Sequence, residues 1–359
     1  MAGVKGIILD SSVLLASDDG DVNGDAVIRP GADYLLRKLC YSKIPTGISH
    51  EQGLSSPKEC LLQKMARIYS CTILCLSRED DISSAVARIW EDKGGSYLHV
   101  VSSCGKDLCY KGNSSGWVKV IVGPTDRKSS YDAEYVAAPG VSTLFIHKLE
   151  ELPLLICHLS KKAMGKEALT VGYVMKPSRE EDFAKKPGLL TSCCILQRGA
   201  FPLCPTQNGL IFLPLNYELP ISAQLQLVDA VLHKATDEIL AVDMGSPESG
   251  DKVTFTNQLQ ELQRYVKCQL DCSVIDPFDN IFPILDRLKI QQILTGLGTL
   301  NIQGRFKIRA PYFLKANSEV NQVLSFPGIM REYLIEKEEY FNVHPTLLFL
   351  CYYDRVADC

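Results

Sequence analysis

No apolar run in the 359-residue sequence reaches the ~18 residues that a membrane-spanning helix requires. The first ten residues, MAGVKGIILD, lack the charged, apolar and small-residue regions of a secretory signal. The formal net charge is −4, so the chain has no excess of basic residues from which to build a broad nucleic-acid surface. We therefore expect a cytoplasmic protein with no membrane span and no nucleic-acid partner.

The fourteen cysteines form no CxxC pair, and no histidine pair lies near them. Without a secretory pattern, the compartment rule favours reduced thiols over disulfides. The spacing of the cysteines and histidines predicts no structural metal site. A GxxxxGK[ST] phosphate-binding loop is also absent from the sequence.

Length and hydropathy patterning indicate several α/β domains. The chain is too long for one ordinary core, and its 46% apolar and 22% charged residues are typical of globular proteins. Apolar strands such as GIILD, SYLHVVSSC and WVKVIVG alternate with helical or polar segments, which predicts a doubly wound sheet. The charged, glycine-containing segment KKAMGKEA, residues 161–168, predicts the first domain boundary.

The first apolar strand ends in Asp10, and a helix predicted to open at Pro30 and Gly31 leads to a second apolar run ending in Ser49. This arrangement resembles the first two motifs of the haloacid-dehalogenase-like fold, in which the strand ends in DxDxT. There the first Asp is the nucleophile and the second is the general acid. Here Asp10 is retained, but Ser12 stands at the second position and cannot protonate a leaving group as a carboxylic acid can. A degenerate domain is expected, with Asp10 capping the next turn; a phosphatase using Asp10 is the less favoured alternative.

Basic residues follow three apolar runs in the remainder of the chain, in the segments LTVGYVMKPSR, VLHKATDEIL and SVIDPFDNIFPILDRLK. Open α/β sheets bind ligands outside the carboxyl ends of their strands, so these basic groups are expected to converge there. Guanidinium and ammonium groups in one cleft predict an anionic, phosphorylated ligand.

These motifs, in this order and followed by GRFKIRAPYF, make residues 169–310 similar to inositol polyphosphate kinases. That family phosphorylates inositol 1,3,4-trisphosphate at position 5 or 6 and inositol 3,4,5,6-tetrakisphosphate at position 1. The residues before 165 resemble the long plant-type member, which carries a degenerate dehalogenase-like domain in front. The resemblance therefore implies a degenerate dehalogenase-like α/β domain followed by a small α/β substrate-side domain of an inositol phosphate kinase.

The resemblance also implies roles for individual residues. Arg179 and Lys234, with His233 beside it, correspond to positions that contact the inositol phosphate, and Arg287 corresponds to a position that contacts nucleotide. The implied cofactors are ATP and Mg²⁺, and the implied partners are inositol polyphosphates and ATP. A monomer is expected.

Two segments depart from the family pattern. Residues 186–197, KPGLLTSCCILQ, form an insert that is expected to be a loop after the first helix of the second domain. After Lys315, residues 316–359 do not contain the lysine, glycine-rich flap or metal ligands of an ATP-grasp region. The predicted organisation is residues 1–165, 169–295 and an incomplete ATP-grasp region at 296–359.

Because phosphoryl transfer needs positioned ATP and charge-neutralising magnesium, these departures predict a truncated isoform with little or no kinase turnover and no metal ligands. A non-catalytic inositol-phosphate-binding or regulatory module is the alternative hypothesis. A third hypothesis is that the chain is an unstable by-product of splicing.

Overall fold

The computed structural model describes residues 3–16, 26–77, 80–90, 95–103, 116–123, 136–138, 141–165, 168–185, 200–206, 208–243, 252–268, 272–285, 290, 306–308 and 353–355. These residues belong to two compact units, residues 1–278 and 279–359. The predicted insert at 186–197 and Arg287 lie outside the described residues.

A seven-stranded sheet occupies the first half of the larger unit. Its strands in chain order are β1 (Val4–Asp10), β2 (Thr46–Glu51), β3 (Thr72–Leu76), β4 (Ser96–Ser102), β5 (Trp117–Val122), β6 (Val136–Ala138) and β7 (Val141–Ile146). Their spatial order is β3-β2-β1-β4-β5-β7-β6, and only the β6–β7 pair is antiparallel. The predicted α/β class with parallel strands is confirmed.

Helices cover both faces of this sheet. They are α1 (Ser11–Leu14), α2 (Ala32–Ser42), α3 (Ser56–Tyr69), α4 (Ile82–Ala87) and α5 (Leu152–Met164). Side chains of β1 alternate between two cores: Ile7 and Leu9 pack with α2, α3 and α5, and Ile8 packs with α4. All three are fully buried, which explains the continuous apolar run of this strand.

The predicted helix after Pro30 begins at Ala32, because Gly31 precedes it in the left-handed region, with φ of 81°. A Cβ at Gly31 would also lie 2.2 Å from a carboxylate oxygen of Glu150, so only glycine fits there without a shift.

The second half of the larger unit contains a four-stranded sheet and a hairpin. The strands are β8 (Leu169–Val174), β9 (Leu210–Pro214), β10 (Ala230–His233), β11 (Ile239–Asp243), β12 (Lys252–Phe255) and β13 (Ser273–Ile275). The sheet has the order β13-β10-β8-β9 with every neighbouring pair parallel, and β11 and β12 form an antiparallel pair. Its helices are α6 (Pro177–Lys185), α7 (Ile221–Leu225) and α8 (Asn257–Cys268).

The two sheets share one compact unit. Helix α5 contacts both β1 and β9, and Leu203 belongs to the core of the larger sheet. The Cys204 thiol donates to the carbonyl oxygen of Val4 at 3.0 Å. The domain boundary within residues 161–168 stays a prediction.

In the smaller unit, the structure describes helix α9 (Ile281–Leu285) and an antiparallel pair, β14 (Phe306–Ile308) with β15 (Tyr353–Arg355). The predicted ATP-grasp region at 296–359 otherwise lies outside the described residues. Across the described part of the chain, no helix is both long and apolar enough to cross a membrane.

Candidate anion-binding site

The carboxyl ends of β8 and β10 lie side by side. Val174, the last residue of β8, pairs with His233, the last residue of β10. The backbone N–H of Lys234 then donates to the carbonyl oxygen of Val174 at 3.1 Å. The strand of the third motif, β13, pairs in parallel with β10, with Ile275 opposite Leu232. The strands of all three sequence motifs therefore end at one edge of a parallel sheet, where ligands of open α/β sheets are bound.

Arg179 reaches from the first motif to the second. It lies in the first turn of α6, and its Nε donates to an Asp237 carboxylate oxygen at 3.4 Å. Asp237 belongs to the short 3-10 turn Ala235–Glu238, which directly follows Lys234. With its side chain 49% exposed and its ion pair long, Arg179 gains little from Asp237, so its guanidinium remains accessible to an anion.

Lys234 is exposed at the same edge. Its backbone is held from both sides, because its N–H donates to Val174 and its carbonyl oxygen accepts from the N–H of Asp237 at 2.9 Å. The loop position of Lys234 is thus set by backbone bonds, and the ammonium extends toward solvent.

Lys176 is a third cation of this edge that the sequence reasoning missed. It is exposed and lies between the end of β8 and the start of α6. Its carbonyl oxygen accepts from the backbone N–H groups of Arg179 and Glu180, at 2.9 and 3.2 Å. The signal was present in the motif VGYVMKPSR, where Lys176 comes two residues after the strand.

His233 is buried rather than presented to solvent. Its ring stacks on Phe278 with centroids 4.1 Å apart and planes 7° from parallel, and Nδ1 accepts from the N–H of Ala235 at 3.3 Å. Burial lowers the pKa of His233, although the neighbouring Asp276 opposes that shift. Because Nδ1 accepts from Ala235, the neutral ring carries its proton on Nε2. The assignment of His233 to substrate stays a prediction, and packing is the role that its burial supports.

The edge suits phosphate better than a metal ion. Lys176, Arg179 and Lys234 are hydrogen-bond donors, and an arginine fork can hold two phosphate oxygens at once. Among the described residues, no group of three or more His, Cys, Asp or Glu side chains could hold a metal ion. No step through magnesium follows from these residues, and Arg287, the predicted nucleotide contact, lies outside them.

Asp10 has a capping role at the corresponding edge of the larger sheet. One carboxylate oxygen accepts from the N–H of Ser12 at 2.9 Å, and the other accepts from the Ser49 hydroxyl at 3.3 Å. The N–H of Ser102 donates to the Ser12 hydroxyl at 3.4 Å. The predicted cap is confirmed, and a hydroxyl occupies the position at which the dehalogenase-like hydrolases place their acid.

Residues 1–162 match the family described as the N-terminal HAD-like domain of ITPK4. Inositol-tetrakisphosphate 1-kinase 6 of Oryza sativa subsp. japonica is 39% identical over 318 residues, covering 87% of this chain and 54% of the relative. The chain is therefore similar to inositol-tetrakisphosphate 1-kinases over most of its own length. The indica protein of the same name is also 39% identical, over 319 residues and with the same coverage.

A Xenopus laevis inositol-tetrakisphosphate 1-kinase shares 29% identity over 116 residues, which is 32% of this chain and 27% of that protein. The chain spans about half the length of the rice relatives. Its dehalogenase-like first domain and its mixed α/β architecture agree with the predicted fold class.

Proposed function

We propose that this chain binds inositol polyphosphates at the carboxyl edge of its small parallel sheet, as the substrate-binding part of an inositol polyphosphate kinase. The observation that carries the proposal is the junction of the two motifs, where Lys234 is hydrogen-bonded to the end of β8 and Arg179 reaches Asp237. The names of the relatives, which are inositol-tetrakisphosphate 1-kinases, support the same substrate class.

Each cation has a distinct role in this proposal. Arg179 holds one phosphate with two parallel N–H donors, displacing its weak contact with Asp237. Lys234 acts as a point charge on a second phosphate, and Lys176 adds positive potential beside it. Several phosphates on one ring make such a set of separated cations effective, because each additional contact adds to the affinity.

The reaction proposed for the kinase to which this substrate-binding part corresponds is phosphorylation of inositol 1,3,4-trisphosphate at position 5 or 6 and of inositol 3,4,5,6-tetrakisphosphate at position 1. A kinase of this family uses ATP, and magnesium neutralises the charge on the transferred phosphoryl group. Arg287 is the proposed nucleotide contact. The cytoplasm and a monomeric state stay predictions.

Calorimetric titration with inositol 3,4,5,6-tetrakisphosphate tests the proposal, with and without magnesium ATP, while product is followed in the same sample. We expect saturable binding that weakens with added salt, since the contacts are ionic. Lys234→Ala and Arg179→Ala should each raise Kd by about tenfold or more. Lys64→Ala, which removes an exposed lysine of α3 on the other sheet, is the matched control and should bind as the wild type does.

The titration also separates the alternatives. Binding without product would favour a non-catalytic inositol-phosphate-binding module, whereas product formation would establish kinase turnover. Absence of binding in a folded chain would refute the proposed site. A phosphatase would instead release phosphate with magnesium and lose that activity in Asp10→Asn.

A further inference from the structure

A buried ion pair joins the dehalogenase-like domain to the inositol phosphate site. Lys38 of α2 donates to a carboxylate oxygen of Glu180 in α6, across 142 residues of sequence. The two side chains are only 7% and 3% exposed. Burial raises the pKa of Glu180 and lowers that of Lys38, and each charge opposes the shift of the other. Removing one partner alone from a buried charge pair destabilises the surrounding structure, because the other charge is left buried without compensation.

Two aromatic rings, one from each sheet region, further confine the Lys38 ammonium. The nitrogen lies 4.9 Å from the ring centroid of Tyr34 and 5.4 Å from that of Tyr173. Tyr34 precedes Lys38 by one helical turn, and Tyr173 is the buried tyrosine of β8 in the motif VGYV. The ammonium therefore contacts both the strand and the helix that lead into the phosphate edge.

Glu180 is the direct neighbour of Arg179. The backbone N–H groups of both residues donate to the carbonyl oxygen of Lys176, so they share the first turn of α6. The contacts of the Arg179 side chain itself are weak, at 3.4 Å to Asp237 and 4.0 Å to Asp182. The orientation of that turn is thus held by Glu180 from the buried side, and Arg179 depends on the turn.

We propose that Lys38 is a positioning residue for phosphate binding, through which the dehalogenase-like domain holds the Arg179 turn in place. This inference rests on the proposed function of Arg179. Lys38 touches no substrate; it acts through Glu180. The domain that has lost the acid of its hydrolase motif then contributes a structural part of the kinase substrate site.

The test is a double-mutant cycle in the full chain, read as Kd for inositol 3,4,5,6-tetrakisphosphate. Lys38→Met keeps the apolar stem and removes the charge, and we expect Kd to rise by about five- to tenfold because the Arg179 fork is misplaced. In an Arg179→Ala background, Lys38→Met should add almost nothing, since the residue through which it acts is gone. Lys38→Met/Glu180→Met, which replaces both charges by apolar groups, guards against loss of folding and should also bind weakly.

Lys161→Met is the matched control. It breaks another ion pair between the two sheet regions, that of Lys161 with Asp229. Asp229 directly precedes β10, whereas the Arg179 turn follows the carboxyl end of the neighbouring strand β8, so the two lie at opposite ends of the sheet. We expect less than about a twofold change in Kd from this variant, because the hydrogen bonds of Lys161 go to Leu227 and Asp229 before β10.

The outcomes distinguish the positioning role of Lys38 from the proposed phosphate-binding function of Arg179. Normal binding by Lys38→Met, together with weakened binding by Arg179→Ala, would overturn the positioning role and leave the proposed function intact. Additive effects of the two changes, or an equal loss in Lys161→Met, would assign Lys38 a merely structural role and would also overturn it. If Arg179→Ala binds normally, the proposed site itself is wrong.

Discussion

The Lys161 ammonium donates to both carboxylate oxygens of Asp229, at 3.1 and 3.0 Å, and thereby links α5 to the loop before β10. The same Asp229 accepts from the backbone N–H of Thr170 in β8 at 2.7 Å. One carboxylate therefore connects a helix of the larger sheet with two strands of the smaller one.

Asp229→Ala should destabilise the chain by about 1–2 kcal/mol, mainly because the N–H of Thr170 loses its acceptor. The ion pair adds less, since the Lys161 and Asp229 side chains are 26% and 37% exposed. Urea unfolding would measure the change. Glu261→Ala, on the exposed face of α8, is the control, and an equal loss in that variant would contradict the expectation.

The burial of His233 predicts a pH dependence of stability. Its folded pKa is lowered by burial from the ordinary value of 6.5, so below that value the unfolded chain binds more protons than the folded chain. The contribution of His233 is fully present above about pH 7 and is lost as pH falls through the unfolded and then the folded pKa.

His233→Gln removes this titration. The difference in unfolding free energy between wild type and variant should shrink as pH falls from about 7.5 to about 5.5, since only the wild type has an imidazole to protonate. Urea titrations at three pH values measure it. A difference that stays constant with pH would show that burial does not hold the ring neutral.

Two substitutions of Asp10 separate the effect of its capping hydrogen bond on stability from the effect of its negative charge. Asp10→Ala should cost about 1 kcal/mol, because the N–H of Ser12 loses its cap, whereas Asp10→Asn should cost much less, since asparagine caps almost equally well. Thermal unfolding of the two variants gives the ranking. Equal losses in both would mean that the negative charge, rather than the cap, stabilises this turn.

Lys176 is the third exposed cation of the edge, beside Arg179 and Lys234. Lys176→Ala should raise Kd for inositol tetrakisphosphate by about two- to fivefold at low salt, because one nearby positive charge is removed. The loss should diminish as salt is added and the field is screened. A salt series with Lys64→Ala in parallel measures this, and an unchanged Kd would remove Lys176 from the site.

Much of the site could be predicted from local patterns. The fully buried residues of β1 form a continuous apolar run, which indicates a parallel strand covered on both faces. The carboxyl ends of β8 and β10 lie side by side, as expected for neighbouring parallel strands, and basic residues follow both of them. The capping role of Asp10 also followed from its position at a strand end.

Other features depended on residues that are distant in sequence. The environment of His233 differs from that of Lys234, its neighbour, because Phe278 covers the imidazole from 45 positions further along the chain while the ammonium stays exposed. Composition and spacing carry no information about such a ring stack. The motif alone therefore could not distinguish a buried histidine from a phosphate ligand.

The sequence by itself determined the α/β class, the resemblance to a kinase family and the strand ends at which basic residues gather, since these follow from short-range periodicity and from motifs a few residues long. Only the tertiary structure decided that Lys38 is buried against Glu180 and Tyr173. That contact arises because α2 of one sheet region packs on the first turn of α6 in the other. The contacting residues are so far apart in the sequence that no local sequence pattern indicates the contact. The physical reason is that burial of an ion pair depends on how two surfaces meet, which no local pattern specifies.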